Sequence, residues 1–196
     1  LDATAESTKS DLEDTERNIV YFADSVGPST ITRSDQVFIQ PAGLLRRAHI
    51  EKDQLRPSVP GESVRDWALV NPEMIIFPYT AEYGRLDIAQ TPGLRSFLLP
   101  YRDYLENVII FGKAKKETDH EWWEYTDPYP DKNIPPVFVA FAEIATHGHF
   151  LFNERDAKFP RTAPAIRFPS DFSRLDHWLV CGLLNSSSGL LWLKQV

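Results

Sequence analysis

Hydrophobic positions along the chain fall into short runs cut by prolines and polar clusters, and two spacings recur among them. Alternation, or a brief continuous apolar run, marks strands. Met74-Ile75-Ile76-Phe77, held between Pro72 and Pro78, reads as a buried strand. Val137–Phe141 behind Pro135-Pro136, His149–Phe152 and Ala165–Phe168 read the same way. Residues 18–24 and Gln36–Gln40 are also expected as strands, the second stopped by Pro41, with a turn at Val26-Gly27-Pro28-Ser29. Leu44–Ile50 fits a strand or a short helix, and Pro57, Pro60 and Gly61 mark a loop. Helical spacing appears in the middle of the chain and at its end. Thr91-Pro92 has the residues of an N-cap and a first helical position. Leu94, Phe97, Leu98, Tyr101, Leu105 and Val108 follow at helical spacing, and Pro100 inside them predicts a kink or a split. Ser173–Leu184 fits a helix that packs through Leu175, Trp178, Leu179 and Leu183. Asn185-Ser186-Ser187-Ser188 interrupts it, and Gly189–Val196 resumes as a second helix. Residues 112–133, polar and aromatic with two prolines, are expected as an exposed loop. Together these elements predict an α+β fold: a mixed sheet of short strands, with helices concentrated in the middle and at the C-terminus.

At 196 residues the chain suits one domain or at most two small ones. Its one cysteine excludes an internal disulfide framework. No run approaches the roughly 18 apolar residues of a membrane span, and the acidic, polar start is unlike a signal peptide. The expectation is a cytoplasmic protein without membrane contact. The sequence starts at Leu1 rather than Met, and residues 1–24 hold seven acids against Lys9 and Arg17. That stretch reads as an acidic linker or leader helix of a longer polypeptide, and residues 25–196 as the folded domain.

The net charge of −7 is unusual for a free-standing nucleic-acid binder, but polyanion binding depends on local clusters. Between residues 85 and 116, Arg85, Arg95, Arg102, Lys113, Lys115 and Lys116 face only Asp87, Asp103 and Glu106. Further on, Arg155, Lys158, Arg161, Arg167 and Arg174 are interleaved with Phe159, Phe168 and Phe172. A solvated surface of mixed charge explains both clusters equally well.

Familiar catalytic signatures fail. The glycines form neither a dinucleotide fingerprint nor a phosphate-binding P-loop, and no nucleophile elbow is present. Cys181 lies among Leu179, Val180 and Leu183 and reads as a buried small hydrophobe. His147 and His149 would share one side of a strand, but no third metal ligand follows at a recognisable spacing. Trp122, Trp123, Tyr125 and Tyr129, with Glu121 and Glu124, suit three readings: stacking on sugars, stacking on bases beside Lys113, Lys115 and Lys116, or plain packing.

Three groups of motifs, taken in order, carry more information. The first is Leu55-Arg56-Pro57, then Gly61-Glu62-Ser63-Val64-Arg65-Asp66-Trp67, then Phe77-Pro78-Tyr79. The second joins the helix of Tyr101 and Leu105 to Trp122-Trp123-Glu124-Tyr125. The third is Arg161-Thr162-Ala163-Pro164, then Leu183-Leu184-Asn185-Ser186-Ser187, then Leu191-Trp192-Leu193-Lys194-Gln195-Val196. Over about residues 36–196 this succession resembles the C-terminal target-recognition region of TaqI-like N6-adenine DNA methyltransferases, and within them the PglX-type methylases of BREX phage-defence systems.

The resemblance implies that the chain binds double-stranded DNA and supplies sequence specificity. It also implies that catalysis lies in a separate methyltransferase domain of the same polypeptide, which holds S-adenosylmethionine and flips the adenine through an N-P-P-[YF] loop. Asn71-Pro72-Glu73 and Asp127-Pro128-Tyr129-Pro130 both depart from that loop, so no catalytic residue and no cofactor are expected in this chain. The candidate DNA contacts are Arg95, Arg102, Lys113, Lys115, Lys116, Trp122, Trp123, Arg155, Lys158 and Arg161, with the base readers expected in the loops 112–133 and 153–161. The recurring blocks themselves are expected as scaffold, Arg65 pairing with Asp66 and Asn185 capping the break between the last helices. Two alternatives stay open: a protein-interaction module contacting a defence-system subunit or a DNA-mimic inhibitor, and a carbohydrate-binding domain. DNA binding requires Lys113, Lys115 and Lys116 to share a face with Arg95 and Arg102. Carbohydrate binding requires coplanar, exposed faces on Trp122 and Trp123.

Overall fold

A computed structural model describes residues 22–65, 68–69 and 73–193. Its elements run in the order β1 (Ser25–Gly27), α1 (Asp35–Phe38), β2 (Ile39–Gln40), α2 (Ala42–Arg47), β3 (Leu55–Ser58), β4 (Val64–Arg65), β5 (Ala68–Leu69) and β6 (Glu73–Ile76). They continue with α3 (Pro92–Leu98), α4 (Arg102–Glu106), β7 (Ile109–Ile110), β8 (Lys113–Ala114), α5 (Pro130–Asn133), β9 (Phe138–Phe141), β10 (Phe150–Asn153), β11 (Ala165–Arg167), α6 (Arg174–Leu184) and α7 (Ser187–Leu193). The α+β class is as expected. Every strand pairing within the sheets is antiparallel: β1-β11-β9-β10, β2-β6-β3, β4-β5 and β7-β8.

The sheets divide the molecule into two halves. In the first, β2-β6-β3 packs with α1–α4 around Phe38, Leu45, Ile75, Ile76, Phe77, Leu94, Leu98 and Tyr125, all 0–1% exposed. In the second, the face of β9 and β10 carrying Phe138, Ala140 and Leu151 packs with Val59, Val64 and Phe159. The opposite face, with Val139, Phe150 and Phe152, receives Cys181 and Leu184 of α6. The first strand belongs to this second half, β1 pairing β11.

Local chemistry sets several boundaries. Pro92 opens α3 as expected, but Thr91 makes no side-chain cap. Glu51 does so from a distance: its carboxylate accepts Gly93 N–H at 2.8 Å and Leu94 N–H at 2.9 Å. Burial opposes ionisation of Glu51, but hydrogen bonds from its own amide and those of Gly93 and Leu94 outweigh it and hold the carboxyl below its usual range. A group lowered in this way stabilises the fold above the unfolded pKa, and that stability fades as pH falls through the folded one. Glu51→Gln is therefore expected to cost about 1–2 kcal/mol near neutrality and to shrink the loss of stability on acidification, read by urea unfolding at pH 7 and pH 4. Pro100 splits the helical run as expected, leaving a 3₁₀ turn at Leu99–Tyr101 between α3 and α4.

Several expectations need correction. Val26 and Gly27 belong to β1 rather than to a turn; residues 18–21 lie outside the described residues. Gln36–Phe38 is helical, with Asp35 in the first turn of α1, so only Ile39 and Gln40 are strand. Pro57 is inside β3, where its missing N–H is tolerated. Residues 112–133 are not an exposed loop: Lys115, Glu124, Tyr125, Thr126 and Asn133 are buried. Helix α6 forms, but its Leu175, Leu179 and Leu183 are more than 60% exposed while His177, Cys181 and Leu184 face the sheet.

Candidate nucleic-acid interface

The motifs singled out in the sequence meet inside the protein. Phe77 and Tyr79 pack against Tyr83 and Tyr125 with ring centroids 4.9–6.5 Å apart. Tyr79 Oη accepts Tyr125 N–H at 2.8 Å, and Tyr125 Oη donates to Ile76 O. Arg56 lies 5.0 Å over the Phe77 ring, and Lys158 Nζ lies 4.7 and 4.8 Å over Phe77 and Tyr83. Asp156 bridges both cations. Burial opposes the Asp156 charge, yet these two partners hold its pKa low; burial likewise lowers that of Lys158, against the pull of Asp156. This box is a packed aromatic cluster in which two cations share one partly exposed carboxylate.

Asn185 is the C-cap residue of α6, its N–H donating to Cys181 O at 3.1 Å, but its side chain clasps β10 instead of the helix ends, accepting Phe150 N–H at 3.0 Å and donating to Phe150 O at 2.8 Å. Ser186 supplies the cap, accepting Gly189 N–H at 3.1 Å. Asp66, Trp67, Asn71 and Pro72, and the end of the last block from Lys194, lie outside the described residues.

Two of the expected DNA contacts are enclosed rather than at the surface. Lys158 is 2% exposed inside the aromatic box. Lys115 is fully buried, its Nζ donating to Glu124 O at 2.7 Å. Trp122 and Trp123 are half-buried against the first core and meet edge to face at 87°. They form no coplanar platform, which removes the support for sugar stacking. Arg102 is drawn over Trp122 at 5.7 Å and pairs with Glu106 at 2.6 Å, while remaining largely exposed. Cys181 is buried as expected, its thiol pushed up to about 11 by desolvation. The loop holding His147 is not strand, so the same-side argument for His147 and His149 does not apply.

The remaining expected contacts stay at the surface. Arg95 is exposed on α3; Lys113 and Lys116 are exposed on and just after β8, Lys116 donating to Asn107 Oδ1 at 2.7 Å. Arg155 and Arg161 are exposed, whereas Arg174 is engaged by Glu154 at 2.6 and 2.7 Å. Arg161 also lines a cleft of about 500 Å³ between the halves, with Thr30, Thr32, Arg33, Asp35 and Glu143. Thr30 is 1% exposed and its hydroxyl has no hydrogen-bond partner. Through Arg33 this cleft adjoins another of about 560 Å³, beside Tyr104, Asn107 and Ile109; through Asp35 it adjoins a third of about 420 Å³, beside Gln36 and Ile144.

The result is a groove lined by Arg33 and Arg161, by Asn107 and Gln36, and by the acids Asp35, Glu62, Glu73, Asp103 and Glu143; arginine and the two amides are side chains that pair with phosphates and base edges. Sequence reasoning missed Arg33, a single cation outside both clusters. Its backbone is left-handed (φ 53°), a conformation on the order of 1 kcal/mol unfavourable for a residue with a Cβ. Phe111 was missed as well: it is 85% exposed with φ 46°.

No protein-family model matches the chain. Among curated proteins it is similar to the adenine-specific methyltransferase PglX of Streptomyces coelicolor (strain ATCC BAA-471 / A3(2) / M145), with 32% identity over 152 residues. The match takes in 77% of this chain but spans only 13% of the length of that relative. The chain is thus related to a segment of an adenine-specific methyltransferase.

Proposed function

We propose that this chain is the DNA target-recognition part of an adenine-specific DNA methyltransferase of phage defence. The observation that carries the reading is the 32% identity to a segment of such an enzyme. The groove supports it through Arg33, Arg161, Gln36 and Asn107, side chains that pair with phosphates and base edges. The chain grips duplex DNA and reads the flanking bases, while the adenine is taken out of the stack for chemistry elsewhere. S-adenosylmethionine belongs to that other part.

The test is duplex affinity against salt, by fluorescence anisotropy on the 196-residue chain. Arg33→Glu with Arg161→Glu is expected to weaken binding about tenfold and to reduce the log–log salt slope by about 2. Both residues are exposed, so circular dichroism is expected to be unchanged. Unaltered affinity and slope would sink the assignment of the groove.

One observation favours a second reading, a protein-interaction module. Leu175, Leu179 and Leu183, each more than 60% exposed, with Trp178 between them, leave an apolar stripe along α6, and such stripes serve as contact surfaces for other proteins. Both roles fit one chain that reads DNA on the groove side and is held by another protein surface along α6.

A further inference from the structure

We propose that Phe111 is a stacking wedge that enters an opened base stack of duplex DNA, with Lys113 beside it on the backbone phosphates. The proposal rests on the DNA reading above and names a residue that reading did not use.

Register fixes the geometry. Ile109 faces Ala114 and Ile110 faces Lys113, so Phe111 and Gly112 alone make the hairpin loop. Both have positive φ, 46° and 84°. Two-residue loops with left-handed residues favour Asn-Gly or Gly-Gly, because a Cβ is disfavoured there. Here a phenylalanine takes the first position, and its ring contributes nothing to the core, being 85% exposed. Nor is the tip crowded: a Cβ built on Gly112 would meet no atom within 4 Å. A large apolar ring is thus held away from the molecule on a short, paired ribbon, at a backbone conformation that suits a smaller residue better.

The surroundings identify the occupant. Ile109, two residues before Phe111, is 55% exposed and borders the cleft that Arg33 also lines. Lys113 follows on the partner strand, and Lys116 is exposed just beyond. The acids nearby are Glu117, exposed, with Asp103 in the cleft wall and Glu106 engaged by Arg102. An apolar tip beside ammonium groups matches a duplex whose stack has opened: side-chain wedges insert between base steps while cations neutralise the flanking phosphates. Enzymes that act on a flipped base create such an opening.

The experiment compares two fluorescein-labelled duplexes of one sequence, intact or with a single abasic site that pre-opens the stack. Anisotropy is read for the unaltered chain and for Phe111→Asn, Phe111→Trp and Lys113→Glu. The unaltered chain is expected to prefer the abasic duplex. Phe111→Asn suits the turn, so its thermal stability is expected to equal or exceed that of the parent. Its affinity for the abasic duplex is expected to fall roughly five- to tenfold, with a smaller change on the intact one. Phe111→Trp is expected to keep the preference, and Lys113→Glu to weaken both duplexes alike. If the chain binds duplex DNA but Phe111→Asn leaves the preference intact, the wedge is overturned and the DNA reading stands. If the chain binds neither duplex, the DNA reading falls and the wedge with it.

Discussion

Gly61→Ala is expected to lower the stability of the chain by about 3 kcal/mol, a large share of the margin of a small domain. A Cβ on Gly61 would stand 2.2 Å from Thr162 O and 3.1 Å from its carbonyl carbon. The obstacle is backbone, and it cannot swing aside as the end of a side chain would. Gly61 N–H also donates to Thr162 Oγ1 at 3.1 Å, so displacement loses a hydrogen bond as well as a close contact. Behind these two residues, Val59, Val64 and Ala163 sit in one core and are fully buried. Urea unfolding measures the effect directly. A comparison with Gly43→Ala, where the nearest atom to a Cβ is the far end of Arg46 at 4.0 Å, separates the contact from the generic effect of replacing glycine. Equal costs at the two positions would refute the explanation.

The same contact shows how the motifs hold distant segments together. Gly61 of the first group touches Thr162 of the third, Tyr79 of the first holds Tyr125 of the second, and Asn185 of the third pins Phe150. They are joints between distant segments, as the scaffold reading of these blocks anticipated. The joint of each block was not legible, because hydrogen-bond partners 35 to 101 residues apart leave no local pattern.

Elsewhere, legibility followed the strength of local rules. Proline positions marked the start of α3 and the split before α4, and apolar runs marked β6, β9, β10 and β11. The face of α6 was misjudged because the helix has two apolar stripes. Aromatic packing of Phe152, Phe168 and Phe172 around His177 selects the one that periodicity alone does not. Residues 112–133 were misjudged because their polarity suggested solvent. Inside the fold that polarity is satisfied internally: Glu124 accepts Glu121 N–H at 2.7 Å and pairs with Arg85 at 3.2 Å, and Thr126 donates to Ile31 O at 2.9 Å. Arg33 and Phe111 stood out only through backbone conformation and exposure, neither of which a residue count contains.

Lys115 gives the second large effect, and its sign is opposite to that of a surface lysine. Desolvation lowers its pKa to about 8, only partly countered by Glu124. Between about pH 8 and the usual lysine value, the unfolded chain keeps a proton that the folded chain has released. Stability must then rise with pH across that window, by on the order of 3 kcal/mol in all. Below it the penalty for a buried ammonium is present in full. Lys115→Met is expected to abolish this rise. At pH 7 the variant should lie within about 2 kcal/mol of the parent, because removing the buried charge offsets the hydrogen bond that Glu124 O loses. Lys158 is also buried and lowered, so the readout is the difference between parent and variant in urea unfolding from pH 7 to pH 10, in which its contribution cancels. A variant with the parent's pH dependence would show that Lys115 is solvated in the folded chain. The same variant separates packing from DNA contact: with its ammonium enclosed, Lys115→Met should leave duplex affinity within about twofold, whereas removing a surface phosphate contact weakens it and flattens the salt slope by about 1. A loss on that scale for Lys115→Met would place its ammonium at the interface after all.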